Sequence, residues 1–120
     1  TKAIGVVNSS GVDVFRVTNT GIIYATELRI RLTPFPDYVF HKSYSLMPLD
    51  SVATYIEQEK HLPNMPSASQ IEKDEIGLGE ITRLQQEKIE ELTLYIIEIN
   101  KRLMEVEARN KVLETKSLTK

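Results

Sequence analysis

The sequence has no cysteine and no tryptophan, five glycines and five prolines in 120 residues, and only 7% aromatic side chains. Without cysteine there are no disulfides and no thiolate chemistry, in either redox compartment. No apolar run approaches the 18 residues or so that a bilayer-spanning helix requires, so membrane insertion is not expected. No succession of charged, apolar and small residues marks a signal peptide. The chain also lacks a dominant charge: 15 Lys and Arg stand against 17 Asp and Glu, a net charge of -2 with both signs mixed. That gives no electrostatic footprint for nucleic acid or an anionic membrane.

Catalytic patterning is missing as well. There is no Ser/His/Asp spacing, no glycine-rich phosphate loop and no metal motif, so no catalytic, cofactor-binding or metal residue is assigned and the chain is not expected to be an enzyme. The two histidines, His41 and His61, are read as solvent-facing or hydrogen-bonded in a core. Glu75 with Glu80, and Glu90 with Glu91, are read as ordinary carboxylates on helical surfaces.

What is present is periodicity. From Glu80 to about Lys116 no Pro or Gly interrupts the chain, and Ile89, Leu92, Ile96, Ile99, Leu103, Val106, Asn110 and Leu113 alternate at intervals of three and four. This is the a/d seam of a coiled coil, about 37 Å long at about 1.5 Å per residue. Such a helix cannot bury its seam alone, so partners are expected, most simply copies of itself. Ile99 and Val106 put β-branched residues at d, where a parallel dimer prefers Leu, and this tilts the reading to a parallel homotrimer; Asn110 at a pulls back towards a dimer.

Upstream of Ile89 the phase slips at Ile81, Leu84 and Gln85, while Leu94, Tyr95 and Ile97 add apolar groups outside the seam. A helix apolar around much of its girth is covered by something besides its coiled-coil neighbours, so a globular collar is expected on its first half. The second half, with Lys101, Arg102, Glu105, Glu107, Arg109 and Lys111 off the seam, reads as a solvated stalk. With a third of the chain in a rod, under 80 residues remain for a core, and the collar is expected to need the oligomer.

Along the chain, Ala3 to Val7, Val12 to Val17 and Glu27 to Leu32 read as short strands, separated by turn signals at Asn8-Ser9-Ser10-Gly11 and Asn19-Thr20-Gly21. Asn8-Ser9-Ser10 also matches a glycosylation acceptor, although turn chemistry accounts for it. Pro34 and Pro36 make a hinge, after which Tyr38-Val39-Phe40 is expected to continue extended. Phe35, Tyr38, His41 and Tyr44 gather here, either as an aromatic cluster packed on the helix base or as a ligand-binding patch. Pro48 opens a short amphipathic helix carrying Leu49, Val52, Ala53 and Ile56 on one face, and Pro63 and Pro66 force an extended crossing after it. Ser67 and Gln70 stand at capping-box spacing, and Ile76-Gly77-Leu78-Gly79 supplies a turn into the long helix. The start at Thr1, without an initiator Met and just before a strand, suggests a piece of a longer chain.

The run Phe35-Pro36-Asp37-Tyr38-Val39-Phe40, Tyr44-x-Leu46-Met47-Pro48-Leu49, His61-Leu62-Pro63-Asn64-Met65-Pro66-Ser67-Ala68, Leu78-Gly79-Glu80 and Lys88-Ile89-Glu90-Glu91-Leu92-Thr93-Leu94-Tyr95 together resemble a C-terminal domain of fibre-like proteins from Bacteroidota and their phages. Phe15-Arg16-Val17 and Gly21-Ile22-Ile23-Tyr24-Ala25 resemble the β-shaft that often precedes it. A looser likeness is to endosialidase-type intramolecular chaperones, whose self-cleavage depends on a Ser-Asp pair that this chain lacks. The resemblance implies a long trimeric fibre, extracellular, in a virion, an injection particle or on a cell surface.

The fold class expected is α+β: residues 1–33 the end of a β-shaft, a weak sheet by itself and so an intertwined trimer, 34–79 a small helical collar with short helices and Pro-rich loops, and 80–120 a trimeric coiled-coil helix with a frayed C-terminus. The function expected is C-terminal trimerisation, registration and capping of a fibre, with assistance to its folding. The alternative is a receptor-binding tip, reading a host glycan or surface protein through Phe35, Tyr38, His41 or Tyr44.

Overall fold

The computed structural model describes residues 1–119 and is α+β, with a three-stranded antiparallel sheet followed by three α-helices, the last of them long. The chain divides into two compact units, Thr1–Arg31 and the remainder from Leu32.

In the first unit β1 (Lys2–Val7), β2 (Asp13–Thr18) and β3 (Ile23–Ala25) form a meander in the order β1-β2-β3. The turns follow from their side chains. Asn8 Oδ1 accepts hydrogen bonds from the backbone N–H of Ser10 and Val12, both at 3.0 Å, and Gly11 takes a positive φ of 78° that side chains disfavour. Thr18 Oγ1 accepts from the Ile22 N–H at 3.0 Å in the second turn, where Gly21 has φ 82°. The turn thus engages the Asn8 side chain. The sheet has little core of its own: every residue of β1 is exposed, including Ile4, Val6 and Val7.

The strand expected at Glu27–Leu32 does not form; β3 lies earlier, at Ile23–Ala25. Alternation of Leu28, Ile30 and Leu32 with charged residues defines a face but not a pairing partner, and among the described residues no strand pairs with it. Leu28 and Ile30 are exposed, and Arg29 instead pairs with Glu27 at 2.7 Å.

The second unit is built along one helix. A short 3₁₀ turn spans Pro36–Phe40, then α1 (Leu49–Glu59), α2 (Ala68–Asp74) and α3 (Leu78–Leu118) follow. The turn corrects the extended run expected at Tyr38–Phe40. Phe35 before the proline is extended, but Pro36 occupies the first helical positions with its φ already set, and the chain closes with His41 N–H donating to the Tyr38 carbonyl at 3.1 Å.

Pro48 precedes α1, which ends at Lys60 in the left-handed region with φ 61°. Asn64 also takes a positive φ, so the passage through Pro63 and Pro66 contains a turn where an extended crossing was expected. At α2 the capping box is complete: Ser67 Oγ accepts from Gln70 N–H, and Gln70 Oε1 accepts from Ser67 N–H at 2.8 Å. The bend before α3 is carried by Glu75, with φ 59° and ψ -179°, whereas Gly77 has an ordinary extended backbone and caps the helix. At 41 residues α3 is about 62 Å long.

Candidate functional site

The chemistry of this unit is divided between two faces of α3. On the first, Leu84, Glu87, Glu90 and Tyr95 are buried under the collar together with Pro36 and Val39. Residues three, four and seven apart share a helix face, and Leu84, Glu87, Lys88, Glu91 and Tyr95 form such a row.

The row is held by hydroxyls and amides from the collar. Tyr38 donates its hydroxyl to Glu87 Oε2, Asn64 Nδ2 donates to Glu87 Oε1 at 2.7 Å, and Lys88 Nζ lies 3.4 Å from the same oxygen. One turn on, Tyr44 donates its hydroxyl to Glu91 Oε1 while Lys88 Nζ donates to Glu91 Oε2 at 2.8 Å. A further turn on, Tyr95 donates to the Met47 carbonyl at 2.5 Å, tethering the start of α1. Arg83 joins at the other end, donating to the Tyr38 hydroxyl at 3.3 Å and pairing with Glu80 at 2.8 Å.

Glu87 is 2% exposed. Burial pushes its carboxyl up, but donation from Tyr38 and Asn64 and the Lys88 ammonium outweigh that and hold it below the ordinary carboxyl range. Glu90, 5% exposed, goes the other way: burial, the neighbouring Asp37 and Glu87 carboxylates raise it, against a 3.4 Å hydrogen bond from Gln86. Its Oε2 has no hydrogen-bond partner among the described residues. Burial and the facing carboxylates raise the phenols of Tyr38, Tyr44 and Tyr95.

These carboxylates correct the reading of Glu90 and Glu91 as surface residues, and Glu87 and Asn64 were missed altogether. A signal existed. Glu87 falls in one helical row with Leu84 and Tyr95, both already noted as apolar positions outside the seam.

The four aromatic-cluster residues do not meet as one accessible patch. Tyr38 and Tyr44 lie with ring centroids 5.9 Å apart and both hydroxyls committed to α3, whereas Phe35 is half-exposed and His41 exposed. His61 packs edge-on against Tyr55 at 5.4 Å. Among the described residues no group of three or more His, Cys, Asp or Glu is placed to hold a metal ion, and no helix is long and apolar enough to cross a membrane.

The second face is the seam. Ile89, Leu92, Ile96, Ile99, Leu103, Val106 and Leu113 all lie exposed, from 47% at Val106 to 65% at Ile96, with Asn110 exposed among them. At about 100° per residue, Ile89, Leu92 and Ile96 point well away from the row Leu84, Glu87 and Glu91 that the collar covers. Lys120, the end of the segment expected to fray, lies outside the described residues. Compared with protein-family models, curated proteins and solved structures, the chain matches none of them.

Proposed function

We propose that this chain is the C-terminal assembly module of an extracellular fibre, a tail fibre or a surface fibre, which joins three copies in parallel through α3, sets their register and caps the end. The role is non-catalytic. The observation that carries this reading is the division of α3: one face is covered by the chain's own collar through three tyrosine hydroxyls, while the regular a/d row on another face is left in water. Seven large apolar side chains in register, on a helix with charged flanks, are what a coiled coil requires and what an independent surface helix does not. The exposed apolar residues of β1 support the same reading, since strands from neighbouring chains would cover them.

Sedimentation equilibrium tests the assembly. The expected mass is three times the 13.7 kDa chain, and a stable monomer refutes the reading. Ile96→Asp would set unpaired carboxylates against one another on the axis at a cost of several kcal/mol per group, so that variant should be monomeric.

A second reading, a receptor-binding tip, draws on the half-exposed Phe35 and Phe40 beside the exposed His41. A glycan array or a cell-binding assay with Phe35→Ala as control separates it from a purely structural role.

A further inference from the structure

The sides of the seam carry information that the seam itself does not. With a at Ile89, Ile96, Leu103 and Asn110, the g positions are Lys88, Tyr95, Arg102 and Arg109, and the e positions are Thr93, Asn100, Glu107 and Glu114. Beyond the e flank, at b, stand Ile97 and Met104, 47% and 60% exposed although neither belongs to the seam.

The g flank opens into an apolar cleft. α1 has no buried residue and stands off from α3, and the space between them, roughly 550 Å³, is lined by Met47, Leu49, Val52, Ile56, Leu92 and Tyr95 among others. Leu92 belongs to both seam and cleft, so the two surfaces are continuous. An amphipathic helix whose apolar face lines an unfilled cleft is a surface prepared for an occupant.

We propose that the occupant is the e and b flank of a second copy of this chain, with its Ile97 seated between α1 and α3, and that this contact makes the assembly parallel and in register. The proposal rests on the reading above that copies join through the seam. In a parallel in-register coiled coil each g residue meets the e residue five positions later on its neighbour. Arg102 then faces Glu107 and Arg109 faces Glu114, two opposite-charge pairs. An antiparallel pairing sets g against g, bringing Lys88, Arg102 and Arg109 towards their own kind, and e against e, bringing glutamates together. The same offset places Thr93 of a neighbour by Lys88 and its Asn100 by Tyr95, so its Ile97 arrives between those levels, beside Leu92 and Val52. The contact is heterologous, flank to opposite flank, and closes when the copies form a ring.

The chain has no cysteine, so introduced thiols report without background. Val52→Cys and Ile97→Cys chains, each alone and then co-refolded, are oxidised with diamide and run without reductant. Crosslinks confined to the mixture are expected, and the double variant should give covalent oligomers. Ile97→Cys crosslinking to itself would overturn the proposal, as would an intact oligomer with no Val52 to Ile97 product. A monomer in sedimentation would instead strike the assembly reading on which the proposal rests. A second set of variants avoids the collar: Arg102→Glu with Arg109→Glu should weaken association several-fold, and adding Glu107→Arg with Glu114→Arg should restore it. Unchanged association in the first variant overturns the proposed flank pairing.

Discussion

Replacing Glu87 tests the attachment of the collar to α3. Its carboxylate is 2% exposed and receives the hydroxyl of Tyr38 and, at 2.7 Å, the amide of Asn64. Glu87→Ala leaves the part-buried Tyr38 hydroxyl without its acceptor, at about 1–3 kcal/mol, and removes charge-assisted bonds worth about 1.5–3 kcal/mol before any cavity is counted. The sum, about 2.5–6 kcal/mol, brackets the cost of about 3–5 kcal/mol for breaking a buried ionic pair and is a large part of the roughly 5–15 kcal/mol that holds a typical domain. Glu87→Gln keeps the shape and one acceptor oxygen, and about 1–2 kcal/mol is expected.

The sign with pH is fixed by the direction of the shift. The folded carboxyl of Glu87 titrates below its unfolded value, so its stabilisation is present above the ordinary carboxyl range and is lost as pH falls through the folded value. The difference between wild type and Glu87→Gln should therefore be greatest at neutral pH and shrink in acid. Denaturant unfolding at fixed protein concentration, followed by far-ultraviolet circular dichroism, measures it. A cost under about 0.5 kcal/mol for Glu87→Ala, no larger than an ordinary surface change, refutes the reasoning.

Glu90→Gln should be neutral or stabilising at neutral pH, because the buried carboxyl is raised and its folded-state advantage fades as pH climbs from the ordinary carboxyl range through the raised value; urea midpoints of the two proteins should converge in acid. Glu75→Gly should raise the thermal midpoint, since φ 59° with ψ -179° is a glycine conformation whose cost for other residues is about 1–3 kcal/mol; an unchanged or lower midpoint in calorimetry counts against strain there.

Sequence legibility followed the reach of each signal. The long helix was legible because its period repeats without a Pro or Gly, and the capping box at Ser67 and Gln70 and the turns at Asn8 to Gly11 and at Gly21 were legible because their chemistry lies within a few residues. The collar's location on the early part of α3 followed from the apolar residues that break the seam's phase. The missing strand at Glu27–Leu32 shows the limit: pairing is a long-range fact that alternation does not contain. Glu87 and Glu90 escaped because a carboxylate on a helix is ordinarily wet, and burial of Glu87 is made tolerable by Lys88 together with two partners remote in the chain, Tyr38 and Asn64.

The tyrosine hydroxyls that fasten the collar are also its alkaline limit. Three of the five tyrosines, Tyr38, Tyr44 and Tyr95, are raised by burial and by nearby carboxylates, and a phenol that ionises can no longer donate to Glu87, Glu91 or the Met47 carbonyl. Their contribution is complete below the ordinary phenol range and disappears as pH rises through the raised values. Each loss also turns a donor into an anion beside another anion, so the three fastenings should release cooperatively. In a chain without tryptophan, and with Tyr24 and Tyr55 replaced by Phe, the near-ultraviolet absorbance of phenolate then records the ionisation of the three fastening hydroxyls alone.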